Sequence, residues 1–489
     1  MTVVSLSVIT EALREAGLLD FVVGTLPHEI TSVSDDSRAM TAGALFLAVR
    51  GADRDGHDYL EGAASAGATA ALVADPARTT LPALVVHDTR RAAAIVAAAF
   101  HGHPARQLRL IGVTGTNGKT TTVGMLRHLL DEPDARAASI GTLGVLIGSD
   151  GDAADGGGGL TTPGPVELQR VLRRLHDQGV RTVAMETSSH ALHQRRVDAV
   201  RFDAAVFTNL TRDHLDYHLT MESYFAAKAM LAALLAPDGA LVMNADDPAW
   251  TALPTTRRTI RFGLVGAADV TATDVRYSPR GSAWTLALGG DRHAVALPLI
   301  GDFNIANALA AAAAAWALGV PSAVIADRLR TMPQVPGRLE ILHERPTVLR
   351  DYAHTPDALA RALAAVRPFT AGSLTAVFGC GGDRDRGKRP DMGRIAERGS
   401  DRSIVTSDNP RTEDPQRILD DIEAGMTLGR HERIEDRRDA IARAIAGAGT
   451  DDVILLAGKG HETYQIRGTV KYPFDERAIV RELIADGET

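Results

Sequence analysis

The stretch of sequence that decides the fold is GVTGTNGKTTT, residues 112–122. It lies between an apolar, strand-like run that ends at Val113 and a helix-like run from Thr120 to about residue 130. A glycine-rich loop in this position is typical of a phosphate-binding site, because backbone N–H groups and a helix N-terminus face the same anion. The sequence therefore predicts ATP or GTP binding, although Val113 stands where the strict motif has its first glycine. The alternative is a glycine- and threonine-rich turn that binds nothing.

Within this loop the residue types match the parts of a nucleotide site. Gly115 and Gly118 allow backbone N–H groups to approach phosphate oxygens closely. Lys119 supplies a positive charge for the terminal phosphates, and Thr120 offers a hydroxyl to Mg²⁺ at the start of the helix.

Length and composition exclude several classes of protein. A chain of 489 residues predicts about three domains of ~150 residues each. The net charge of −8, without a long basic run, argues against nucleic acid or an anionic membrane as the main partner. The single cysteine, Cys380, excludes an intrachain disulfide and fits a reducing compartment.

No targeting or membrane segment is evident in the sequence. The N-terminus lacks a basic region followed by a long apolar core, so we expect no signal peptide. The longest apolar run, 308–320, is shorter than the roughly 20 residues of a membrane span, and we interpret it as a buried helix. We therefore expect a cytoplasmic protein. We also expect a monomer, although no feature of the sequence decides the oligomeric state.

Strand and helix patterns alternate along the chain and divide it into three regions. Strand candidates lie at 44–49, 68–73 and 83–86, then at 108–114, 182–186, 204–209 and 240–244, and finally at 347–351, 375–380, 403–408 and 453–458. We predict an α/β fold of three domains: a small N-terminal α/β domain (1–105), a central domain (106–333) with a P-loop-type, mostly parallel sheet, and a C-terminal domain (334–489) with a dinucleotide-fold-like sheet.

Two polar residues at strand ends in the central region suggest a metal site. Glu186 follows one strand candidate and His214 follows the next, so both are expected at the same sheet edge as Lys119. A carboxylate and an imidazole beside a phosphate loop can share a second Mg²⁺. Taken singly, Glu186 could instead be a charge at a helix N-terminus and His214 a satisfied buried histidine.

Three other interpretations of this region deserve weighing. A hydrolase triad has its residue types in Ser188, Ser189, His190 and Asp198, but the G-x-S-x-G elbow is missing. A zinc site has candidate ligands in Asp213, His214, Asp216 and His218, but the spacing matches no familiar zinc motif. Lys228 has apolar neighbours, so desolvation could lower its pKa and expose the amine to conversion into a carbamate; a surface lysine is the plainer interpretation.

Loops with charges of both signs follow the strands of the third region. They are GGDRDRGKRPDMG, NPRTEDP and KGHETYQ. Arg389 and Arg411 could each grip a carboxylate with two bonds, and Asp408 and Glu462 could hold an ammonium group. A rim with both charges predicts a zwitterionic amino acid as ligand, whereas a set of solvated loops is the alternative.

The motifs occur in the order seen in the Mur ligases of peptidoglycan synthesis, and the chain resembles that family over essentially its whole length. The matching segments are GTNGKTT, METSSHAL, TNLTRDHLDYH, NADDP, GDFNIANALAA, VPGRLE, DYAHTPDAL, FGCGGDRDRGKRPDMG and GKGHETYQ. SDNPRTEDP resembles the members that add the third residue of the stem peptide, and its D-N-P-R tetrad at 408–411 resembles those that use meso-2,6-diaminopimelate rather than L-lysine.

This resemblance implies an ATP-dependent, ADP-forming amide ligase that joins meso-2,6-diaminopimelate to the D-glutamate side chain of UDP-N-acetylmuramoyl-L-alanyl-D-glutamate through an acyl phosphate. It implies that ATP is bound by Gly115, Thr116, Asn117, Gly118, Lys119, Thr120, Thr121, Asn304, Asn307, Arg338 and Asp351. It implies that Mg²⁺ is held by Thr120 and, at a second site, by Glu186, His214 and a carbamylated Lys228.

The same resemblance implies the two substrate sites. The UDP-sugar-dipeptide would meet Ser37, Thr161, Thr162, Ser188, Gln194 and Arg196. Diaminopimelate would meet Arg389, Asp408, Asn409, Pro410, Arg411, Gly458 and Glu462. The sequence departs from the usual family pattern at Ala52-Asp53-Arg54, near the expected uracil pocket, and in the glycine run 156–159.

Two alternatives to this function remain open. One is another ligase of the same superfamily, such as a lysine-adding enzyme or one that serves folate polyglutamylation. The other is a nucleotide-dependent regulatory protein whose phosphate loop switches shape without ligation.

Overall fold

The structure is a computed structural model that describes residues 3–51, 54–157, 159–253, 257–278 and 280–487. The departures from the family pattern therefore lie partly outside the described residues, at Ala52, Asp53 and Gly158. None of the described helices is both long enough and apolar enough to cross a membrane.

The first region contains a five-stranded sheet with the strand order β2-β7-β6-β5-β4, in which only β2 is antiparallel to its neighbour. Its strands are β1 Val4–Ser5, β2 Leu19–Val23, β3 Glu29–Ile30, β4 Ser32–Ser34, β5 Ala44–Leu47, β6 Ala68–Val73 and β7 Ala83–Val86, and its helices are α1 Leu6–Glu15, α2 Leu60–Ser65 and α3 Thr89–Phe100.

The second region contains an eleven-stranded sheet with the order β11-β10-β9-β12-β8-β13-β14-β15-β16-β17-β18. Its strands are β8 Arg109–Thr114, β9 Arg136–Gly141, β10 Gly144–Ile147, β11 Asp152–Ala154, β12 Val180–Glu186, β13 Phe202–Phe207, β14 Leu235–Asn244, β15 Arg258–Gly263, β16 Val270–Ser278, β17 Gly281–Leu288 and β18 Asp291–Leu297. Its helices are α4 Lys119–Leu130, α5 Pro165–Asp177, α6 Ser189–His193, α7 Leu215–His218, α8 Met221–Ala233, α9 Asp302–Ala317 and α10 Ser322–Arg330.

The third region contains a six-stranded sheet with the order β19-β20-β24-β21-β22-β23 and a separate hairpin, β25-β26. Its strands are β19 Glu340–Glu344, β20 Thr347–Asp351, β21 Leu374–Phe378, β22 Arg402–Val405, β23 His431–Arg433, β24 Val453–Ala457, β25 Tyr464–Arg467 and β26 Val470–Pro473. Its helices are α11 Pro356–Val366, α12 Arg389–Gly399, α13 Pro415–Glu423, α14 Arg437–Ala446 and α15 Glu476–Gly487.

The central sheet is parallel where it is covered on both faces. Strands β9, β12, β8, β13, β14, β15 and β16 run parallel, and antiparallel hairpins close both edges of the sheet. Apolar side chains of α4 and α9 fill one face, and those of α5, α6 and α8 fill the other. This is the arrangement expected of strands with near-continuous apolar runs, which must be buried on both sides.

The predicted α/β class and the mostly parallel central sheet are confirmed, and each predicted strand overlaps an observed one. The alanine-rich run 308–320 is the buried part of α9, as predicted. The antiparallel strands β16–β18 were missed because their polar faces interrupt the apolar pattern. The three larger sheets lie within residues 19–86, 109–297 and 340–457, and the exact domain borders stay a prediction.

Candidate active site

The phosphate loop lies at the carboxyl end of β8, where Gly118 starts α4 with a φ of +87°. Lys119 folds back across this loop, since its Nζ donates to the carbonyl oxygens of Gly115 at 2.9 Å and Thr116 at 2.7 Å. Burial lowers the pKa of Lys119. Lys119 is therefore held at the loop, where the oxygens of a phosphate would take the place of the water that its ammonium group loses on burial.

The segment after β13 supports the phosphate loop from the side. Thr208 Oγ1 donates to the carbonyl of Asn117 at 2.6 Å, and the Asn117 N–H donates to the side-chain oxygen of Asn209 at 2.9 Å. The sequence analysis missed the supporting role of Thr208 and Asn209. Their position directly after a central strand is the signal that could have identified them.

A cavity of about 540 Å³ extends from the loop toward α9 and the third region. Asn117, Gly118, Thr120, Thr121, Asn307, Arg338 and Asp351 are among its lining residues. Asn304 does not line this cavity; it is buried and its side-chain amide donates to the Ile300 carbonyl at 2.8 Å. Asn307 is therefore the asparagine of this pair that faces the cavity, and Asn304 supports it from behind.

Two residues of the third region approach the nucleotide loop from the opposite side. Arg338 Nη2 donates to Thr120 Oγ1 at 2.9 Å, and its guanidinium lies over the Tyr352 ring at 4.8 Å from the centroid. Asp351 ends β20 and accepts from the Leu339 N–H at 2.7 Å. Burial raises the pKa of Asp351 to about 6, against the attraction of Arg338.

A second cavity, of about 320 Å³, brings the candidate metal ligands together. Thr120, Glu186, His214 and Lys228 all line it. Among the described residues, no three His, Cys, Asp or Glu side chains converge as a metal site. A cation here would thus need the hydroxyl, the modified lysine or the nucleotide in addition to Glu186 and His214.

Glu186 and Lys228 have the burial that their proposed roles require. Glu186 is 1% exposed, and its carboxylate accepts from Thr142 N at 2.8 Å and Thr142 Oγ1 at 3.2 Å. Lys228 is also 1% exposed, and its Nζ donates to the Gly115 carbonyl at 2.7 Å. Burial lowers the pKa of Lys228 well below its usual value, and the charge of Lys119 acts in the same direction. The surface-lysine interpretation is therefore wrong.

The hydrolase-triad interpretation finds no support in the observed contacts. Ser188 caps α6 by accepting from the Ala191 N–H, while Ser189 contacts His218 at 2.9 Å. Asp198 pairs with Arg91 and Arg195.

The residues expected to bind the sugar-dipeptide share one wall of the second cavity, with two exceptions. Thr161, Thr162, Ser188 and Arg196 line the cavity, whereas Gln194 and Ser37 do not. Gln194 accepts from Arg196 at 2.6 Å and so orients its guanidinium. Ser37 begins a short 3₁₀ helix in the first region, outside the three cavities of the site.

The third cavity, of about 740 Å³, is bordered by the charged rim of the third region. Asp408, Asn409, Arg411, Gly458 and Glu462 line it, as the sequence predicted for a shared rim. Arg411 has a φ of +53° and donates from Nη1 to the Gly382 carbonyl at 2.8 Å. A strained backbone at a rim residue is a typical feature of a binding site.

The expectation that Arg389 grips a carboxylate ligand is corrected by the structure. The Arg389 side chain is fully buried and already pairs with Glu413 at 2.9 Å and Asp421 at 2.8 Å. Because both terminal nitrogens of its guanidinium group are paired, Arg389 fixes the loop that carries Glu413. Pro410 likewise lines a neighbouring cavity of about 490 Å³ rather than the rim cavity.

The three cavities adjoin one another through shared lining residues, and together they are called the chamber. The first two share Asn117, Gly118, Thr120 and Arg338. The second and third share Leu160, Thr161, His190, Asp213, His214, Tyr352 and His354. Lys119, Arg196 and Arg411 therefore border adjoining cavities.

The structure adds Tyr352 and Lys388 to the site and places His354, which the sequence offered as a candidate base, beside them. Tyr352 and His354 follow β20 and stand between the rim and the phosphate side of the chamber. Lys388 donates from Nζ to the His354 carbonyl at 2.8 Å. The position of DYAH directly after a strand is the signal for Tyr352, whereas nothing in the sequence places Lys388 beside His354.

Three family models match consecutive parts of the chain. They are described as Mur ligase family, catalytic domain, at residues 29–109; Mur ligase middle domain, at residues 113–315; and Mur ligase, glutamate ligase domain, at residues 337–460. Together they span most of the chain.

The chain is 45% identical to the UDP-N-acetylmuramoyl-L-alanyl-D-glutamate–2,6-diaminopimelate ligase of Geobacillus thermodenitrificans, over 94% of this chain and 95% of that protein. A solved structure of a ligase with the same name is 33% identical, covers both chains fully and has a TM-score of 0.69. The MurF ligase of Thermotoga maritima, solved in complex with ADP, shares the fold at 20% identity, with a TM-score of 0.65 over 93% of this chain and 96% of that one.

Proposed function

We propose that this chain, which belongs to the Mur ligase family, uses ATP to join meso-2,6-diaminopimelate to the D-glutamate side chain of UDP-N-acetylmuramoyl-L-alanyl-D-glutamate. The observation that carries the proposal is the single chamber bordered by the phosphate loop, the Thr162–Arg196 wall and the rim of both charges. One small-molecule reaction needs all three walls. A nucleotide switch would need only the first.

The walls can be assigned to substrates by their chemistry. The triphosphate would lie along residues 115–121, with Asn307, Arg338 and Asp351 around the nucleoside. The sugar-dipeptide would reach Thr161, Thr162, Ser188 and Arg196, since Arg196 offers a guanidinium to its acidic groups. Gln194 would act through Arg196, and Ser37 would meet the uridine only if that end of the ligand leaves the chamber.

The rim suits the distal end of diaminopimelate, which carries an ammonium and a carboxylate. Arg411 would bind the carboxylate through two hydrogen bonds from its planar guanidinium group, and Asp408 and Glu462 would bind the ammonium. Asn409 donates to Glu462 at 2.9 Å and so fixes that carboxylate in place.

Thr120 would hold one Mg²⁺, and Glu186, His214 and Lys228 would hold a second beside the phosphates. Lys228 would join this second set as a carbamate, because burial lowers the pKa of its amine and the neutral amine can add to CO₂ with loss of one proton. When bound, Mg²⁺ would neutralise charge on the phosphates.

The chain's own residues then explain how an unreactive carboxylate forms an amide. An oxygen of the glutamate side chain attacks the γ-phosphorus of ATP, ADP leaves, and Lys119 offsets the charge that spreads over the phosphoryl oxygens. The diaminopimelate nitrogen attacks the acyl carbon of the resulting acyl phosphate, the C–N bond forms, and phosphate leaves. Closure of the third region over the loop, through Arg338 and Thr120, keeps water from the acyl phosphate.

The attacking amine must give up a proton, and His354 is the candidate acceptor in this chamber. It borders the rim cavity and the metal-side cavity, and burial lowers its pKa, which keeps the ring neutral. His214 also lines the metal-side cavity, but it is assigned to the metal. Bound phosphate or water could serve instead.

The decisive experiment measures phosphate release by the purified protein with ATP, Mg²⁺ and UDP-N-acetylmuramoyl-L-alanyl-D-glutamate. Parallel reactions contain meso-diaminopimelate, L-lysine, L-glutamate or no amino acid, and mass spectrometry identifies the product. We expect fast phosphate release and a diaminopimelate-containing product in the first reaction, with far slower release in the reaction with L-lysine. A faster reaction with lysine or glutamate would assign another ligase of the superfamily, and slow hydrolysis that ignores all additions would indicate a nucleotide switch.

A further inference from the structure

Lys459 is a fully buried charge that the reaction described above does not use. It follows Gly458 at the end of β24, and its side chain has no exposed surface. Its Nζ lies 3.1 Å from Asn409 Oδ1, 3.1 Å from Glu462 Oε2 and 3.7 Å from Asp408 Oδ1. An ammonium group is costly to bury, so its three partners explain why it is tolerated there.

Two of these partners, Asp408 and Glu462, are the carboxylates assigned above to the ammonium of diaminopimelate. Lys459 pairs with both of them, and the cation Arg411 lines the same cavity. The rest of the rim also carries charges of both signs, among them Arg384, Lys388, Asp385 and Asp391. The two carboxylates and the two cations therefore sum to zero charge before a ligand enters.

We propose, as a refinement that rests on the proposed function, that Lys459 is a positioning residue that sets the charge of the amino-acid pocket and thereby selects a zwitterionic distal end over a cationic one. A neutral pocket matches the distal end of diaminopimelate, whose ammonium and carboxylate cancel. The side chain of lysine ends in an ammonium alone and would add an unbalanced charge. Removing Lys459 leaves one carboxylate in excess and favours that cation.

Lys459 also orders the pocket. By contacting both Asn409 and Glu462, it fixes the two side chains that already bond to each other at 2.9 Å. Asn409 Oδ1 in turn accepts from the Ile466 N–H at 2.9 Å, which ties the pocket to β25. The lysine acts through these neighbours, since it has no surface with which to touch a ligand.

The test compares Lys459→Met, which has nearly the same length without the charge, with the wild-type protein. The measured quantities are kcat and KM for diaminopimelate, lysine and ATP. We expect kcat/KM for diaminopimelate to fall at least about tenfold, mainly through KM, while KM for ATP stays within about twofold. The ratio of kcat/KM for diaminopimelate to that for lysine is expected to fall at least about tenfold as well.

Two further variants separate charge from shape. Lys459→Arg keeps the charge and should retain the substrate ratio within about threefold, even if overall activity drops. Lys471→Met removes the same charge from the exposed hairpin of the same region and should match the wild type. If Lys459→Met does not fold, Asn409→Asp makes the same unit change in pocket charge with every heavy-atom position retained, and it must lower the ratio too.

The outcomes distinguish this inference from the proposed function. An inactive wild-type protein with diaminopimelate would refute the function itself. An active wild type whose Lys459→Met or Asn409→Asp variant keeps the same substrate ratio would overturn the role of Lys459 alone. Equal losses for both amino acids, or an equal change in KM for ATP, would also overturn it, because those results indicate general damage.

Discussion

The phosphate loop and the amino-acid rim are built in different ways, although both border one chamber. The phosphate loop is a contiguous segment, 115–121, whose lysine bonds to backbone carbonyls three and four residues away. The rim takes its side chains from loops after β21, β22 and β24, which are up to about 80 residues apart in sequence. A local motif suffices for the first, whereas the second depends on how a sheet orders its strands.

The two sites also differ in how their charges are held. Around the loop, Lys119 and Lys228 both donate to the Gly115 carbonyl, and among the described residues neither has a carboxylate within salt-bridge distance. Lys119 therefore offers its positive charge to a polyanion, whereas Lys228 is the buried amine proposed to carry the carbamate. In the rim, Lys459, Asp408 and Glu462 neutralise one another, so the pocket suits a ligand with no net charge. The comparison teaches that one chamber can present a cationic wall and a balanced wall to different parts of one reaction.

The largest effect is expected on the phosphate side of the chamber, at the proposed carbamate. Lys228→Ala should lower kcat by about 10³-fold, because it removes the group proposed to carry the carbamate beside the phosphates. Short carboxylic acids such as acetate should restore part of the phosphate release by filling the space. Lys228→Met, which leaves less space, should stay inactive with acetate, whereas rescue by ammonium ions would contradict the carbamate.

The next largest effect is expected at the amino-acid rim, on kcat/KM for diaminopimelate. Arg411→Ala should lower kcat/KM for diaminopimelate by about 10²-fold, equivalent to about 3 kcal/mol of lost charge-assisted bonding. Arg386→Ala, which removes an exposed guanidinium paired with Glu413, is the matched control and should change kcat/KM less than about threefold. An unchanged KM for diaminopimelate in Arg411→Ala would refute the assignment.

A smaller effect should follow from crowding the rim. Gly458 has a φ of +118°, and a Cβ there would lie 2.6 Å from Asp408 Oδ2. Gly458→Ala should therefore raise KM for diaminopimelate about tenfold and leave KM for ATP unchanged. Gly429→Ala, which also has positive φ but open space around it, measures the backbone strain alone. Equal kinetics in the two variants would show that the contact with Asp408 is unimportant.

The smallest effect is expected in the pH dependence of KM for ATP. Since burial raises the pKa of Asp351 to about 6, its carboxylate takes up a proton as the pH falls through 6, where an ordinary aspartate stays charged. Below that pH the charge beside Arg338 is lost, and KM for ATP should rise about threefold in the wild type. Asp351→Asn has no such proton to bind, so its KM should lack this step. If KM for ATP changes with pH in the same way in the wild type and in Asp351→Asn from pH 5 to 8, Asp351 is excluded as the titrating group.

Much of the fold could be predicted from the sequence, because buried parallel strands can be recognised by their apolar runs. Strands β8, β12, β13 and β24 are buried over most of their length, and each contains a continuous stretch of apolar residues. Strand β17 alternates buried and partly exposed residues and was missed. The residues at strand ends were predicted to share an edge by the general rule for open sheets, and the shared lining of the three cavities agrees with that rule.

Individual roles were harder to predict than positions. Arg389 has the same residue type as Arg411 and begins α12 directly after a similarly charged loop, yet it is fully buried against Glu413 and Asp421. Asn304 and Asn307 are three residues apart on α9, yet only Asn307 lines the nucleotide cavity. Which member of such a pair faces the ligand depends on partners that are distant in sequence.

The sequence by itself determined the phosphate loop, the places along the chain where strands end in polar residues, and the membership of the family. Each of these depends on short contiguous patterns. Only the tertiary structure decided that Lys228 is buried on the Gly115 carbonyl, that Arg389 is an internal clamp and that Lys459 balances Asp408 and Glu462. The physical reason is that burial and charge pairing are properties of side chains brought together from separate loops, and neither is encoded in the neighbours along the chain.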